Sequence, residues 1–317
     1  MYRAPLKDIE FALHEVIGPQ VLAGCPDFAE YSTDLAESVL SEAARYAEGV
    51  LDPLWQSADR EGAHWSADGV TTPKGFKEAY AQLIDGGWTT LSAPTEFGGQ
   101  GMPSLLTTAV EEILAAANVS FRLCPLLSGG AVEAIYHVGT EAQKAAYLPR
   151  MVSGHWSGTM NLTEPQAGSD LALLRTRAVR EGEHYRIFGQ KIFITSGHGK
   201  YHFVIARTEK VEAAKADDPM AGLNGLSMFL VPTYEDLPGG KRKRIVTLER
   251  VEEKLGHHAS VTAALAFERA PALLVGKRGE GFRQMLVLMN NARVGVGFVG
   301  VVRFPAPLGC LSCRKTL

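Results

Sequence analysis

Cysteine is scarce in this chain, with four in 317 residues. So few thiols at this length do not suggest a disulfide framework, and a reducing cytoplasm is the expected compartment. No uninterrupted apolar stretch approaches the ~20 residues that a membrane-spanning helix needs. A basic excess is missing as well: 32 Lys and Arg stand against 35 Asp and Glu, a net charge of −3, which makes no broad electrostatic case for nucleic acid. Nor does the start read as a secretory leader, since Lys7, Asp8 and Glu10 stand where an apolar block would be needed. What is plentiful is apolar side chain, 46% of residues, enough to bury a large core divided among two or more domains.

The pattern changes character near residue 155. Before it, Leu35, Val39, Leu40 and Ala43 recur at helical spacing, followed by Phe76 to Leu83 and Leu105 to Ala116, so an all-helical N-terminal domain is predicted. After it come short β-type runs: Tyr185 to Phe188, Lys191 to Thr195, Phe203 to Arg207, Leu226 to Val231, Ile245 to Leu248 and Thr262 to Phe267. Gly, Pro and Asp clusters separate them, the punctuation of a small β-barrel or sandwich. From Gly281 a helix returns, with Phe282, Met285, Leu288 and Met289 on one side and Arg293 following.

The most informative stretch is Met160-Asn161-Leu162-Thr163-Glu164-Pro165-Gln166-Ala167-Gly168-Ser169-Asp170. Pro165 fixes φ and removes a donor, Gly168 lets the main chain approach a ligand, and Thr163 and Ser169 add hydroxyls on either side. Such a loop suits a large polar cofactor, with N–H groups aimed at an anion or an electron-rich ring edge. An ordinary surface turn is the plain alternative.

This run resembles the flavin-binding signature of the acyl-CoA dehydrogenase family. Glu96-Phe97-Gly98-Gly99-Gln100-Gly101, Lys191-Ile192-Phe193-Ile194-Thr195, Lys254-Leu255-Gly256 and Gly279-Glu280-Gly281-Phe282 follow in family order, and the resemblance runs to about residue 302. The extension before the first helical domain resembles the branch that includes 3-methylmercaptopropionyl-CoA dehydrogenases. The resemblance implies an α+β multidomain fold: an N-terminal extension (1–36), a helical domain (37–157), a middle β-domain (158–272), the start of a C-terminal helical bundle (273–302) and an irregular tail (303–317).

It also implies FAD as cofactor, α,β-dehydrogenation of an acyl-CoA thioester, an electron-transfer flavoprotein as acceptor, and homo-oligomers among intact relatives. Met160, Asn161, Leu162, Thr163, Gly168, Ser169, Phe193, Ile194 and Thr195 match the family's two flavin segments. Thr163 falls where the family contacts the isoalloxazine ring, and Phe193 where an aromatic residue covers it. Ser169, Asn290 and Arg293 match the substrate side, with Asn290 where many members carry an Asp. Of the two family positions for the catalytic carboxylate, one is Ala292 here and the other lies in a C-terminal region that the chain does not match. The chain is therefore expected to be inactive or nearly so by itself, with an exposed apolar stripe at Phe282, Met285, Leu288 and Met289. From about Arg303 the prolines and glycine of Phe304 to Cys310 break the helix, so a truncated or frame-shifted end is expected.

Other features carry weaker readings. Cys310 and Cys313 form a single Cys-x-x-Cys, His198 and His202 are four apart between glycines, and His257 and His258 are adjacent, as on a strand that points them apart; none is a persuasive metal site. Lys241 to Arg244 is a charge run of the kind that is usually solvated. A noncatalytic flavin- or CoA-binding protein on the same scaffold and a nucleic-acid-associated offshoot of the family stay open as alternatives.

Overall fold

Apolar side chains at three- and four-residue spacing wind the first half of the chain into helices. The computed structural model describes residues 1–303 apart from 24, 29–30 and 210–221. Helix α1 (Leu6–Phe11) runs into a π-type turn and is followed by α2 (Gln20–Ala23), α3 (Thr33–Tyr46) and α4 (Asp52–Glu61). Then come α5 (Phe76–Asp85), α6 (Ser104–Ala117), α7 (Val119–Val138) and α8 (Glu141–Val152). Ser32 caps α3 by accepting from Leu35 N, and Thr140 starts α8 with a reciprocal box to Gln143. Leu40, Ala43, Leu51, Leu106 and Ile113 fill the core between these helices. A hairpin, β1 (His64–Ser66) and β2 (Gly69–Thr71), interrupts the helical half; strands of three residues are too short to show a period in the sequence.

The second half forms β3 (Gly158–Asn161), β4 (Arg177–Glu181), β5 (His184–Thr195), β6 (Tyr201–Arg207), β7 (Leu226–Pro232), β8 (Tyr234–Asp236), β9 (Arg242–Arg244), β10 (Val246–Val251) and β11 (Thr262–Val275). β5 pairs with β4 and β11, β11 with β7, β7 with β6, and β6 touches β4 at Arg207 and Arg177. The sheet thereby closes on itself, with β10 and β3 flanking, and hides most of its strand edges. Ile187, Val204, Phe229, Leu265 and Phe267 fill its interior.

Two strands are longer than their sequence suggests. The runs around Tyr185 and Lys191 are one strand, β5, whose Gly189 sits at φ +149 where an added Cβ would stand 2.4 Å from Thr176 Oγ1. β11 continues past Phe267 because Arg269, at φ +57, forms a bulge rather than an end.

Helix α9 (Gly281–Arg303) packs on α6, α7 and the sheet. The expected exposed stripe is not there: Met285 and Leu288 are completely buried, while Phe282 and Met289 are half-buried. Gly130 of α7 makes the close approach possible, since a Cβ there would stand 3.1 Å from Leu288 O. Among the described residues, the large apolar side chains that α9 exposes are Val294 and Val296. The tail with Cys310 and Cys313 lies outside the described residues.

Candidate functional site

The loop after β3 is tied down from within. Glu164 and Ala167 exchange two main-chain hydrogen bonds, of 2.9 and 3.0 Å, which makes Pro165 and Gln166 the tip of a tight turn. Beneath the turn lies Lys191 of β5, with no exposed surface. Its Nζ donates to Leu162 O and to Glu164 Oε1, both at 2.8 Å. Glu164 is also buried and accepts from Arg175 N at 2.7 Å, Thr176 N at 3.0 Å and Gln166 Nε2 at 2.6 Å. Burial alone would push the Glu164 carboxyl up; Lys191 and the hydrogen bonds from Thr176 and Arg175 outweigh that and hold it at about 2. Burial likewise pulls Lys191 downward against the stabilising charge of Glu164. The pair is a brace that the sequence hides, since Lys191 reads as a polar start to an apolar run.

Just beyond the brace, β5 carries an extra residue. Lys191 opposes Leu265 and Ile194 opposes Ala263, so three steps on β5 face two on β11. Phe193 takes up the difference at φ +57, a costly conformation for an aromatic residue. The bulge turns its side chain outward, leaving it 60% exposed where neighbouring Ile194 is buried. An aromatic ring that is both strained and exposed contributes little to folding and is well placed to cover a flat ligand.

Loop and bulge share a cavity of about 390 Å³, within the size range of small-molecule sites. Met160, Leu162, Thr163, Gly168, Ser169, Phe193, Ile194 and Thr195 line it, closed from the helical side by Leu127 of α7 and by Leu286, Met289 and Arg293 of α9. Gly168 is not in a left-handed conformation, and an added Cβ would meet only Thr163 Cγ2 at 3.6 Å, an ordinary contact. Nothing in the described residues therefore requires glycine there, and the space it frees belongs to the cavity. The hydroxyls, the exposed ring and the freed space together suit a flat, polar cofactor such as a flavin.

Two predicted residues stand elsewhere. Asn161 is completely buried, and its amide donates to Thr159 O at 3.2 Å and lies 3.4 Å from His202 Nδ1. Asn290 lines a neighbouring cavity, joined to the first by a 2.8 Å hydrogen bond from Arg293 Nη1 to Asn290 Oδ1. No Asp or Glu is among the described residues lining the first cavity, and Ala292 is buried in the helix interface.

The remaining motifs have structural explanations. Among the described residues, no group of three His, Cys, Asp or Glu side chains could hold a metal ion. His202 is buried on β6 with its Nε2 3.0 Å from Thr233 Oγ1, and burial pushes it down to about 3. His257 and His258 are in a turn between β10 and β11, not on a strand; His257 adopts φ +56 and sits 3.2 Å from Ser120 Oγ, while His258 N donates to Asp59. Arg242 to Arg244 form the short strand β9, where Arg242 pairs with Asp236 at 3.0 Å and Arg244 stacks on Tyr234.

Residues 33–155 match the family described as acyl-CoA dehydrogenase, N-terminal domain, and residues 159–270 match acyl-CoA dehydrogenase, middle domain. The chain is 43% identical over 309 residues to a 3-methylmercaptopropionyl-CoA dehydrogenase of Ruegeria pomeroyi, covering 95% of this chain and 51% of that protein. It is 33% identical to the broad-specificity linear acyl-CoA dehydrogenase FadE5 of Mycobacterium tuberculosis, covering 93% and 49% respectively. The chain thus spans about half the length of the curated relatives it matches. Its fold is similar to butyryl-CoA dehydrogenase from Megasphaera elsdenii, with TM-score 0.71 and 26% identity over 86% of this chain and 66% of that one.

Proposed function

Because the chain belongs to the acyl-CoA dehydrogenase family, we propose that it binds FAD in the cavity below Phe193 and acts in the α,β-dehydrogenation of an acyl-CoA thioester. The observation that carries this reading is the bulge at Phe193, which spends backbone strain to set an aromatic ring beside the hydroxyls of Thr163, Ser169 and Thr195. Bound there, a flavin would be held by hydrogen bonds from Thr163 and Thr195, covered by Phe193, and would have Ser169 on the side of its phosphates or the substrate. When bound, the flavin supplies the acceptor for the hydride that leaves the β-carbon. Leu127, Leu286 and Met289 keep water from the reacting carbons, and Arg293 and Asn290 hold the thioester side along α9. An electron-transfer flavoprotein as acceptor and a cytoplasmic setting belong to the same proposal; no described helix is long and apolar enough to cross a membrane. So does a division into domains at 157/158 and 272/273.

Removing the α-proton needs a carboxylate on the face away from the flavin. None of the described residues lining the cavity offers one, so the chain by itself is proposed to lack the base, whose placement is worth ~10² to 10⁴ in rate. The test is anaerobic mixing of the purified chain and FAD with a panel of saturated acyl-CoA thioesters, following flavin bleaching. Acyl-dependent bleaching slower than in intact relatives by about that factor is expected. Failure to bind FAD would sink the reading. Bleaching at a relative's full rate would refute the missing base, and Glu280, at the start of α9, is then the first residue to replace.

A further inference from the structure

Thr195, in the wall of the flavin cavity, stands between two residues in the left-handed region, Phe193 at φ +57 and Ser196 at φ +55. Such conformations persist only where the surroundings fix the backbone firmly. On one side the ladder does so, since Ser196 N donates to Val261 O at 2.8 Å. The peptide that joins Thr195 to Ser196 is trans, so its carbonyl points the opposite way, off the edge that faces β11. There the hydroxyl of Thr159 meets it, donating to Thr195 O at 2.5 Å. Thr159 is on β3, which pairs in the sheet with β6 and not with β5. The link therefore depends on a side chain rather than on the ladder.

Thr159 is itself immobilised. It has no exposed surface, its carbonyl accepts from Asn161 Nδ2 at 3.2 Å, and that amide also lies 3.4 Å from His202 Nδ1. The Thr233 hydroxyl commits its proton to Gly199 O, which leaves its oxygen to accept from His202 Nε2, 3.0 Å away. His202 is then the Nε2–H tautomer, with Nδ1 free to accept from Asn161. The buried set ties both ends of the turn after the flavin segment, Thr195 through Thr159 and Gly199 through Thr233.

We propose that Thr159 is a positioning residue for the flavin: by holding the Thr195 carbonyl it aims the Thr195 hydroxyl into the cavity, toward the flavin's polar edge. This rests on the FAD reading and adds to it a residue outside the cavity wall. Without the Thr159 hydroxyl, Thr195 O loses that donor and the strained segment is free to relax. The Thr195 hydroxyl moves off its position as a result.

The experiment is fluorescence titration of the full chain with FAD in the parent, Thr159→Val, Thr195→Val and the double variant, with the visible absorption band of the bound flavin recorded for each. Thr159→Val weakens FAD about three- to tenfold, the effect of one hydrogen bond, and shifts the flavin band toward that of Thr195→Val. In a chain already lacking the Thr195 hydroxyl, the same substitution changes affinity by less than about twofold, because nothing is left to aim. Thr159→Ser, which keeps the donor, stays within about twofold of the parent. Thr159→Cys, a weaker donor of similar size, falls between and carries the same cycle if the valine variant does not fold. Parent-like affinity in Thr159→Val or in Thr195→Val overturns the proposal, and so does a serine variant as weak as the valine one. An equal loss with and without the Thr195 hydroxyl also overturns it, showing that Thr159 serves the fold alone. No FAD binding by the parent chain overturns the flavin reading, and this proposal with it.

Discussion

Replacing Lys191 by Met tests how the flavin loop is held. The substitution keeps most of the side-chain volume but leaves the Glu164 carboxylate buried without its counter-charge, which was 2.8 Å away. Removing one partner of a buried pair costs about 3–5 kcal/mol. Glu164 retains hydrogen bonds from Arg175 N, Thr176 N and Gln166 Nε2, so the lower end, about 3 kcal/mol, is expected. Leu162 O also loses its donor, freeing the residue next to Thr163, so FAD affinity should fall together with stability. Adding Glu164→Gln removes the stranded charge and should return the protein to within about 1–2 kcal/mol of the parent. Urea unfolding followed by circular dichroism measures the stabilities, and fluorescence titration measures FAD. A loss below about 1 kcal/mol for Lys191→Met, or a double variant no more stable than the single one, would refute the brace.

Acid should release the same brace: the Glu164 carboxyl is held near 2 against an ordinary 4.5, so its stabilisation is full above about pH 4.5 and is lost as pH falls toward 2. Melting temperatures from pH 6 to 3 should therefore fall more steeply in the parent than in Glu164→Gln, and equal slopes would count against the assignment. Gly189→Ala should destabilise by about 2 kcal/mol or more, because φ +149 and a Cβ 2.4 Å from Thr176 Oγ1 leave no room for it; a normal urea midpoint would contradict this. Phe193→Gly relieves a left-handed backbone but frees the unfolded chain, so stability should stay within about 1 kcal/mol of the parent while FAD retention drops through lost stacking area. Retention equal to the parent's would show that the ring does not cover the cofactor.

Helices with regular apolar spacing and strands bounded by turn residues were legible in the sequence because burial acts on one face at a fixed period. Features set by contacts between distant segments were not. Gly189 reads as a break between two strands, yet it lets one strand pass close to Thr176. Arg269 and Pro271 read as an ending, yet Arg269 is a bulge within β11 and Pro271 goes on pairing with Arg186 of β5. At the site, the motif around Thr163 and the segment at Phe193 were recognisable, but motif membership does not reveal which way a side chain points: Asn161 faces inward toward His202 while its neighbours Met160 and Leu162 reach the cavity. The Lys191–Glu164 brace joins residues 27 apart in sequence, and neither position alone signals the other.

Titrating the purified chain with FAD measures whether the cavity at the Phe193 bulge holds a flavin. One equivalent should bind with quenched flavin fluorescence, and Thr163→Val should lower the affinity by roughly 0.5–1.5 kcal/mol, the net contribution of one hydrogen bond. No saturable binding, or a Thr163→Val variant that binds FAD as tightly as the parent chain, would contradict the flavin assignment.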